Sequence, residues 1–259
     1  MPYTLSAYGL SDPGLVRENN EDIWGCVPEY HFFAIADGMG GHQAGEVASR
    51  EAVLFLCTQI RKQLDEKGLQ DASCQDVISF MRLCLEDTNS FVYELSTSHD
   101  LLTGMGTTLC CLYFHDDFVV WAHVGDSRIY RLRNHKLEQL TQDHSLLREL
   151  VDGGKIQEQD KEEFLYKNII TKAVGTDIQV EPAVNAAVIQ PKDTYLLCTD
   201  GLSDLLTRAE IEQQLNQPYA VEEKVRALIA EAKQKGGYDN ITVVLVEVIS
   251  DEKENIPRQ

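Results

Sequence analysis

Residues 31–45, H-F-F-A-I-A-D-G-M-G-G-H-Q-A-G, constrain this chain more than any other stretch. The short apolar run 32–36 reads as a strand buried on both faces, and it delivers one carboxylate, Asp37, into a glycine cluster at Gly38, Gly40 and Gly41. A carboxylate is costly to bury unless it is paired or bound to a metal. Gly38 lets the backbone approach a ligand that a side chain would block. Two later segments repeat the design. Residues 195–201 read Y-L-L-C-T-D-G, ending on Asp200 and Gly201; Asp239 and Asn240 follow Gly236-Gly237 and precede the apolar stretch 241–248. Three carboxylates therefore stand at the edges of apolar strands.

The segments between them set the fold class. Residues 3–10 read as a first strand, and a polar loop over 15–22 carries Arg17, Glu21 and Asp22. Two helical stretches follow the glycines directly. Over 46–66, Val47, Leu54, Cys57, Ile60 and Leu64 recur at helical spacing, and over 76–95 Val77, Met81, Cys84, Thr88, Phe91 and Leu95 do the same. A β-meander is expected over 107–140, with strands at 107–114, 118–124, 128–133 and 137–140 and a Gly125-Asp126-Ser127 turn. His123, inside an apolar strand, reads as a satisfied core histidine. Residues 143–177 hold few long apolar runs and read as a surface flap. Strands at 183–189, 194–199 and 241–248 and helices at 204–215 and 221–232 complete the chain. Helices that neighbour each other in sequence favour α+β with antiparallel sheets over a doubly wound fold. With no repeat or low-complexity linker, residues 1–249 are expected to form one domain and 250–259 a frayed polar tail.

Charge and composition narrow the partners. A net charge of −19 in 259 residues argues against nucleic acid and anionic membranes, whose binding relies on Lys and Arg. A few of those charges are candidates for neutralisation by divalent cations. The seven cysteines are odd in number and show no C-x-x-C, so neither a zinc site nor a disulfide framework is indicated. Without a basic leader followed by a long apolar segment, or an apolar run of about 18 residues, a soluble cytoplasmic protein is expected.

Carboxylates at strand edges, with water and backbone carbonyls, suit hard cations such as Mg²⁺ or Mn²⁺. Two such ions roughly 3.5–4 Å apart can activate a water for in-line attack on a phosphate ester. Arg17 is the candidate fork for the phosphate. A serine hydrolase using Ser127 or Ser203 is the other enzyme class to weigh, but neither serine lies in G-x-S-x-G. A non-catalytic phosphoprotein-binding module is the other class to weigh.

Six motifs, in order, carry a resemblance: S-D-P-G-L-V-R-E-N-N-E-D (11–22), A-D-G-M-G-G-H (36–42), G-M-G-T-T (104–108), V-G-D-S-R-I-Y (124–130), T-D-G-L-S-D (199–204) and G-G-Y-D-N-I-T (236–242). Over about residues 3–248 the chain resembles the metal-dependent Ser/Thr protein phosphatases of the type 2C (PPM) family in their compact bacterial form. The resemblance implies a β-sandwich of two antiparallel sheets flanked by helix pairs. It implies two Mn²⁺ or Mg²⁺ ions bridged by Asp37, the first completed by Asp200 and Asp239, the second by the Gly38 carbonyl and, through water, Glu21. It also implies Asp22 and Thr107 as supports of the site, Arg17 on the phosphate, and Asp126 with Asp200 at a third, weaker ion. The expected partners are proteins phosphorylated on Ser or Thr by a bacterial-type kinase, and a monomer is expected. One position departs from the larger members of the family: Met39 stands where they carry a histidine proposed as general acid. His42 is not promoted to that role, and a water on the third metal is an equally good candidate.

Overall fold

The computed structural model describes residues 3–40, 44–69, 71–157, 166 and 169–250. His42, the charged flap stretch 158–163 and the tail beyond 250 lie outside the described residues. Strands β1 (Tyr3–Asp12), β2 (Asp22–Val27) and β3 (Phe32–Met39) lead into the long helices α1 (Ala44–Lys67) and α2 (Cys74–Ser98). The meander follows as β4 (Gly106–Thr107), β5 (Leu109–His115), β6 (Phe118–Val124), β7 (Arg128–Arg133) and β8 (Lys136–Gln139). Helix α3 (Leu146–Asp152) opens the flap. After it come β9 (Ala183–Val188), β10 (Thr194–Cys198), the single turn α4 (Asp200–Ser203), α5 (Arg208–Leu215), α6 (Val221–Gln234) and β11 (Ile241–Ser250).

One sheet runs β1-β11-β10-β7-β8 and the other β2-β3-β5-β6-β9, with β4 added to β3. Every pairing is antiparallel. Strand β3 shows why the layers stack. Phe33 and Ile35 enter the core between the sheets, against Phe114, Tyr195 and Val244. Phe32, Ala34 and Ala36 point the other way, into the core under α1 and α2. The period of two thus feeds two cores from one strand, as an apolar run without polar alternation requires. On the far side, Leu196, Cys198, Val243 and Leu245 pack under α5 and α6 with Ile211, Val225 and Leu228. The architecture is the α+β sandwich, with a helix pair outside each sheet.

Local differences from the sequence pattern have identifiable causes. Leu54 in α1 faces solvent, 53% exposed; the buried stripe is Ala48, Ala52, Leu56, Ile60 and Leu64, whose alanines let the helix sit close to the sheet. Strand β2 carries little apolar signal because Asp22, Gly25 and Cys26 interrupt it. The strand expected over 107–114 breaks at Thr108, and β4 pairs with Gly38 and Met39. The helix expected from 204 begins at Arg208, where Thr207 accepts the Glu210 amide in a capping box. No helix among the described residues is long and apolar enough to cross a membrane.

Candidate metal centre

The carboxylates meet at one end of the sandwich, with both sheets contributing. Asp22 and Asp37 are directly paired across β2 and β3. Asp200 follows β10 and Asp239 precedes β11 in the facing sheet, and the β6–β7 turn adds Asp126.

The backbone of Asp37 is fixed from three directions. Its N–H donates to Thr108 Oγ1 at 3.0 Å, and its carbonyl accepts from Thr108 N–H at 2.8 Å and from the Thr107 hydroxyl at 2.8 Å. This is what the break between β4 and β5 achieves: Thr108 leaves the ladder to hold Asp37. Gly38 must be glycine. Its N–H donates to the Glu21 carbonyl at 3.1 Å, and a Cβ there would stand 2.0 Å from the Gly45 carbonyl oxygen.

The side chains crowd like charges into a poorly solvated space. Burial, together with Asp22, Asp200, Asp126 and Asp239, raises the Asp37 carboxyl well above the ordinary carboxylate range. Burial, with the neighbouring Asp204 and Asp239, pushes Asp200 up to about 6. Burial pushes Asp22 up to about 7 against the hydrogen bond from Thr199, and Asp22 Oδ1 is buried with no partner. Asp126, 9% exposed, is pushed up to about 7 by burial, with Asp200 and Asp143 adding to it. Burial also raises Glu21, whose N–H donates to Asn240 Oδ1 at 2.8 Å. Arg17 Nη2 donates to Asp239 Oδ2 at 2.7 Å, on side chains 55% and 38% exposed. The other nearby guanidinium, Arg128, is committed to Asp143 through a bidentate pair.

A hard cation fits these residues. The raised carboxyls hold protons that a cation would displace, one buried oxygen, Asp22 Oδ1, is orphaned, and the donors are oxygen throughout. No three Asp, Glu, His or Cys side chains among the described residues converge into a metal cage made of side chains alone. A site here therefore draws on backbone carbonyls and water as well, as oxygen-rich sites for Mg²⁺ and Mn²⁺ commonly do.

All nine residues singled out in the sequence, Arg17, Glu21, Asp22, Asp37, Gly38, Thr107, Asp126, Asp200 and Asp239, lie in or around this end of the sandwich. Three supporting residues were not singled out. Asn240 donates to the Pro13 and Asn19 carbonyls at 3.1 and 2.9 Å and so ties the Arg17 loop to Asp239. Thr199 Oγ1 donates to Asp22 Oδ2 at 2.8 Å, and Thr108 holds Asp37. Their signal was their place beside a marked residue: Thr199 before Asp200, Thr108 after Thr107, Asn240 after Asp239. Ser127 and Ser203 are no nucleophiles here. Ser127 Oγ is buried 2.7 Å from Thr108 Oγ1, and the Ser203 hydroxyl is buried without a partner. His123 is only half satisfied: Nε2 lies 2.8 Å from the Gln142 carbonyl, while Nδ1 is buried and unpartnered.

This combination of sandwich and buried carboxylate end is that of the protein phosphatase 2C fold. Residues 17–245 match the family model for protein phosphatase 2C. The serine/threonine phosphatase stp of Listeria monocytogenes is 38% identical over 240 residues, 92% of this chain and 93% of that protein. The Streptococcus agalactiae serine/threonine phosphatase structure superposes with a TM-score of 0.86 at 34% identity, covering 94% of this chain and 99% of the other. The catalytic domain of the serine/threonine protein phosphatase PstP, solved with two manganese ions, gives 0.81 at 36% identity, covering 95% and 99%. The chain belongs to the protein phosphatase 2C family.

Proposed function

We propose that this chain is a metal-dependent protein phosphatase that hydrolyses phosphoserine and phosphothreonine in proteins, without a covalent intermediate. The observation that carries the reading is the convergence of carboxylates from both sheets at one end of the sandwich, Asp22 paired with Asp37 across β2 and β3, Asp22 and Asp126 buried, Asp200 at the end of the facing β10, and Arg17 with Asp239 at the exposed rim. Asp37, Asp200, Asp239 and the Gly38 carbonyl would hold two Mn²⁺ or Mg²⁺ ions, with Glu21 acting through water and Asp126 with Asp200 at a third. Bound there, such ions make a water more acidic and offset the charge that develops on a phosphate ester.

The chain's own residues do the rest. Arg17 has one amino group on Asp239 and the remaining face of its fork free to grip the two phosphate oxygens that point to solvent. Asp22, fixed by Thr199, faces Asp37 across the strand pair and sets the field in which Asp37 works. Thr107 and Thr108 hold the Asp37 backbone, so the carboxylate needs no rearrangement when substrate arrives. The substrates would be proteins phosphorylated by a bacterial-type Ser/Thr kinase in the same cytoplasm, met by a monomer.

Phosphate release from a phosphothreonine peptide, with Mn²⁺ and after chelation, tests the proposal. Turnover should require the ion, and Asp239→Asn should lose it while remaining folded. Turnover that survives exhaustive chelation would overturn the reading.

A further inference from the structure

The turn that carries Asp126 is held by the root of the flap. Gly125 sits at φ +100°, a left-handed conformation that favours glycine, and a Cβ there would meet Thr108 Cγ2 at 2.7 Å. Its two backbone groups both go to one residue. Gly125 N–H donates to His144 Nδ1 at 3.2 Å, and His144 N–H donates to the Gly125 carbonyl at 3.0 Å. The His144 ring is braced from behind by His123, stacked at 4.7 Å between centroids and 14° between planes. His144 also passes the contact into the flap, since its carbonyl accepts from Thr171 N–H at 2.9 Å.

The contact continues toward the carboxylate cluster. Beyond Asp126, Ser127 Oγ lies 2.7 Å from Thr108 Oγ1, which accepts the Asp37 amide. A single imidazole nitrogen thus accepts the Gly125 amide at one end of the Gly125-Asp126-Ser127 turn, whose other end is hydrogen-bonded through Thr108 to Asp37. Groups that fix a metal-binding carboxylate from one layer out contribute strongly to its affinity.

We infer that His144 is a positioning residue for the Asp126 carboxylate: by accepting the Gly125 amide through Nδ1, it holds the β6–β7 turn in the shape that presents Asp126 to a weakly bound cation. The inference rests on the proposed metal role of Asp126. It requires Nδ1 to be the unprotonated nitrogen and Nε2 to carry the proton. Asparagine can stand in for the ring, because its Oδ1 occupies a similar place along the side chain and also accepts; leucine fills the space but cannot.

The test is Mn²⁺ titration by calorimetry of the chelator-stripped wild type, His144→Asn and His144→Leu, with thermal melts to confirm folding. His144→Leu should bind the weakest ion roughly 10- to 100-fold less tightly and leave the tighter ions unchanged, while His144→Asn should match the wild type. Wild-type binding by His144→Leu overturns the inference, and so does a loss in folded His144→Asn equal to that in His144→Leu. Should His144→Leu not fold, ¹⁵N spectra of the metal-free wild-type imidazoles decide instead: Nδ1 bare and Nε2 protonated for His144 supports the role, and a protonated Nδ1 overturns it. A wild type that binds no Mn²⁺ and releases no phosphate fails the phosphatase reading, whereas an active wild type indistinguishable from His144→Leu fails only this one.

Discussion

Thr199 and Asp22 stand 177 residues apart on facing sheets, and the Thr199 hydroxyl donates to Asp22 Oδ2 at 2.8 Å across the seam of the sandwich. The same hydroxyl accepts the Thr242 amide at 3.0 Å, so one atom joins three strand ends. Thr199→Val leaves two buried polar groups short of a partner and should lower stability by about 1–3 kcal/mol, the range for an unsatisfied buried group. Thr199→Ser should restore most of it. An unchanged urea midpoint in Thr199→Val would show that this bond contributes nothing.

Metal-free protein should lose carboxylate-linked stability as pH rises towards and through neutrality. Asp22 and Asp126 are raised to about 7 and Asp200 to about 6, from about 3.9 in an unfolded chain. The folded state holds these protons more tightly, so their contribution is complete below about pH 4 and is lost as pH rises through 7. His144 acts oppositely: burial, His123 and Lys172 push it down to about 4, so its contribution is present above about pH 6.5 and is lost as pH falls. Burial lowers His31 and His123 as well, so the histidines offset part, but not all, of the carboxylate loss between pH 6.5 and 8. Chelated protein should melt lower at pH 8 than at pH 6.5, saturating Mn²⁺ should erase the difference, and Asp37→Asn should melt higher than chelated wild type at pH 8. A chelated melting point that does not fall from pH 6.5 to 8 would contradict the assigned proton holding.

Arg17→Ala should barely change stability, because an ion pair this exposed contributes only about 0–1 kcal/mol. Its effect belongs to the substrate. KM for a phosphopeptide should rise about tenfold or more, as for loss of a charge-assisted hydrogen bond, with a smaller fall in kcat. Arg17→Lys should recover only part, since an ammonium cannot reproduce the fork. An unchanged KM in Arg17→Ala would return Arg17 to the ordinary residues of its loop.

Asp126→Ala should fold and retain the tighter ions yet lose turnover unevenly. Met39 has no proton to give the leaving oxygen, and on the proposed reading the region around Asp126 supplies one. Phosphothreonine peptides, whose alkoxide leaves poorly, should suffer more than para-nitrophenyl phosphate, whose phenolate needs little help. Equal fractional losses on both substrates, measured at saturating Mn²⁺, would remove the leaving-group role.

How much of this was legible follows from where each signal is stored. Asp37, Asp200 and Asp239 announce themselves because each stands at the edge of an apolar strand with glycine within two residues, a combination that core packing does not explain. The two-sided burial of β3 was legible for the same reason. The stripe of α1 was not, because alanines at 48 and 52 are buried for their smallness, and pattern reading weights large side chains such as Leu54. Asn240, Thr199 and Thr108 were hidden differently. Each acts through a partner more than 70 residues away in sequence, and its one local mark is a neighbour already singled out.

The chain leaves the five-stranded sheet at Gln139 and re-enters the other at Ala183, so the flap is the crossing between the two sheets. Both its ends are clamped: His144 to Gly125 at one, and Val174 to Thr107 by a reciprocal pair of backbone bonds, 2.8 and 3.0 Å, at the other. A segment with fixed ends can change length cheaply, each doubling costing only about 0.6 kcal/mol of closure entropy. Relatives could therefore exchange everything between those two clamps as a cassette while the sandwich beneath keeps its register.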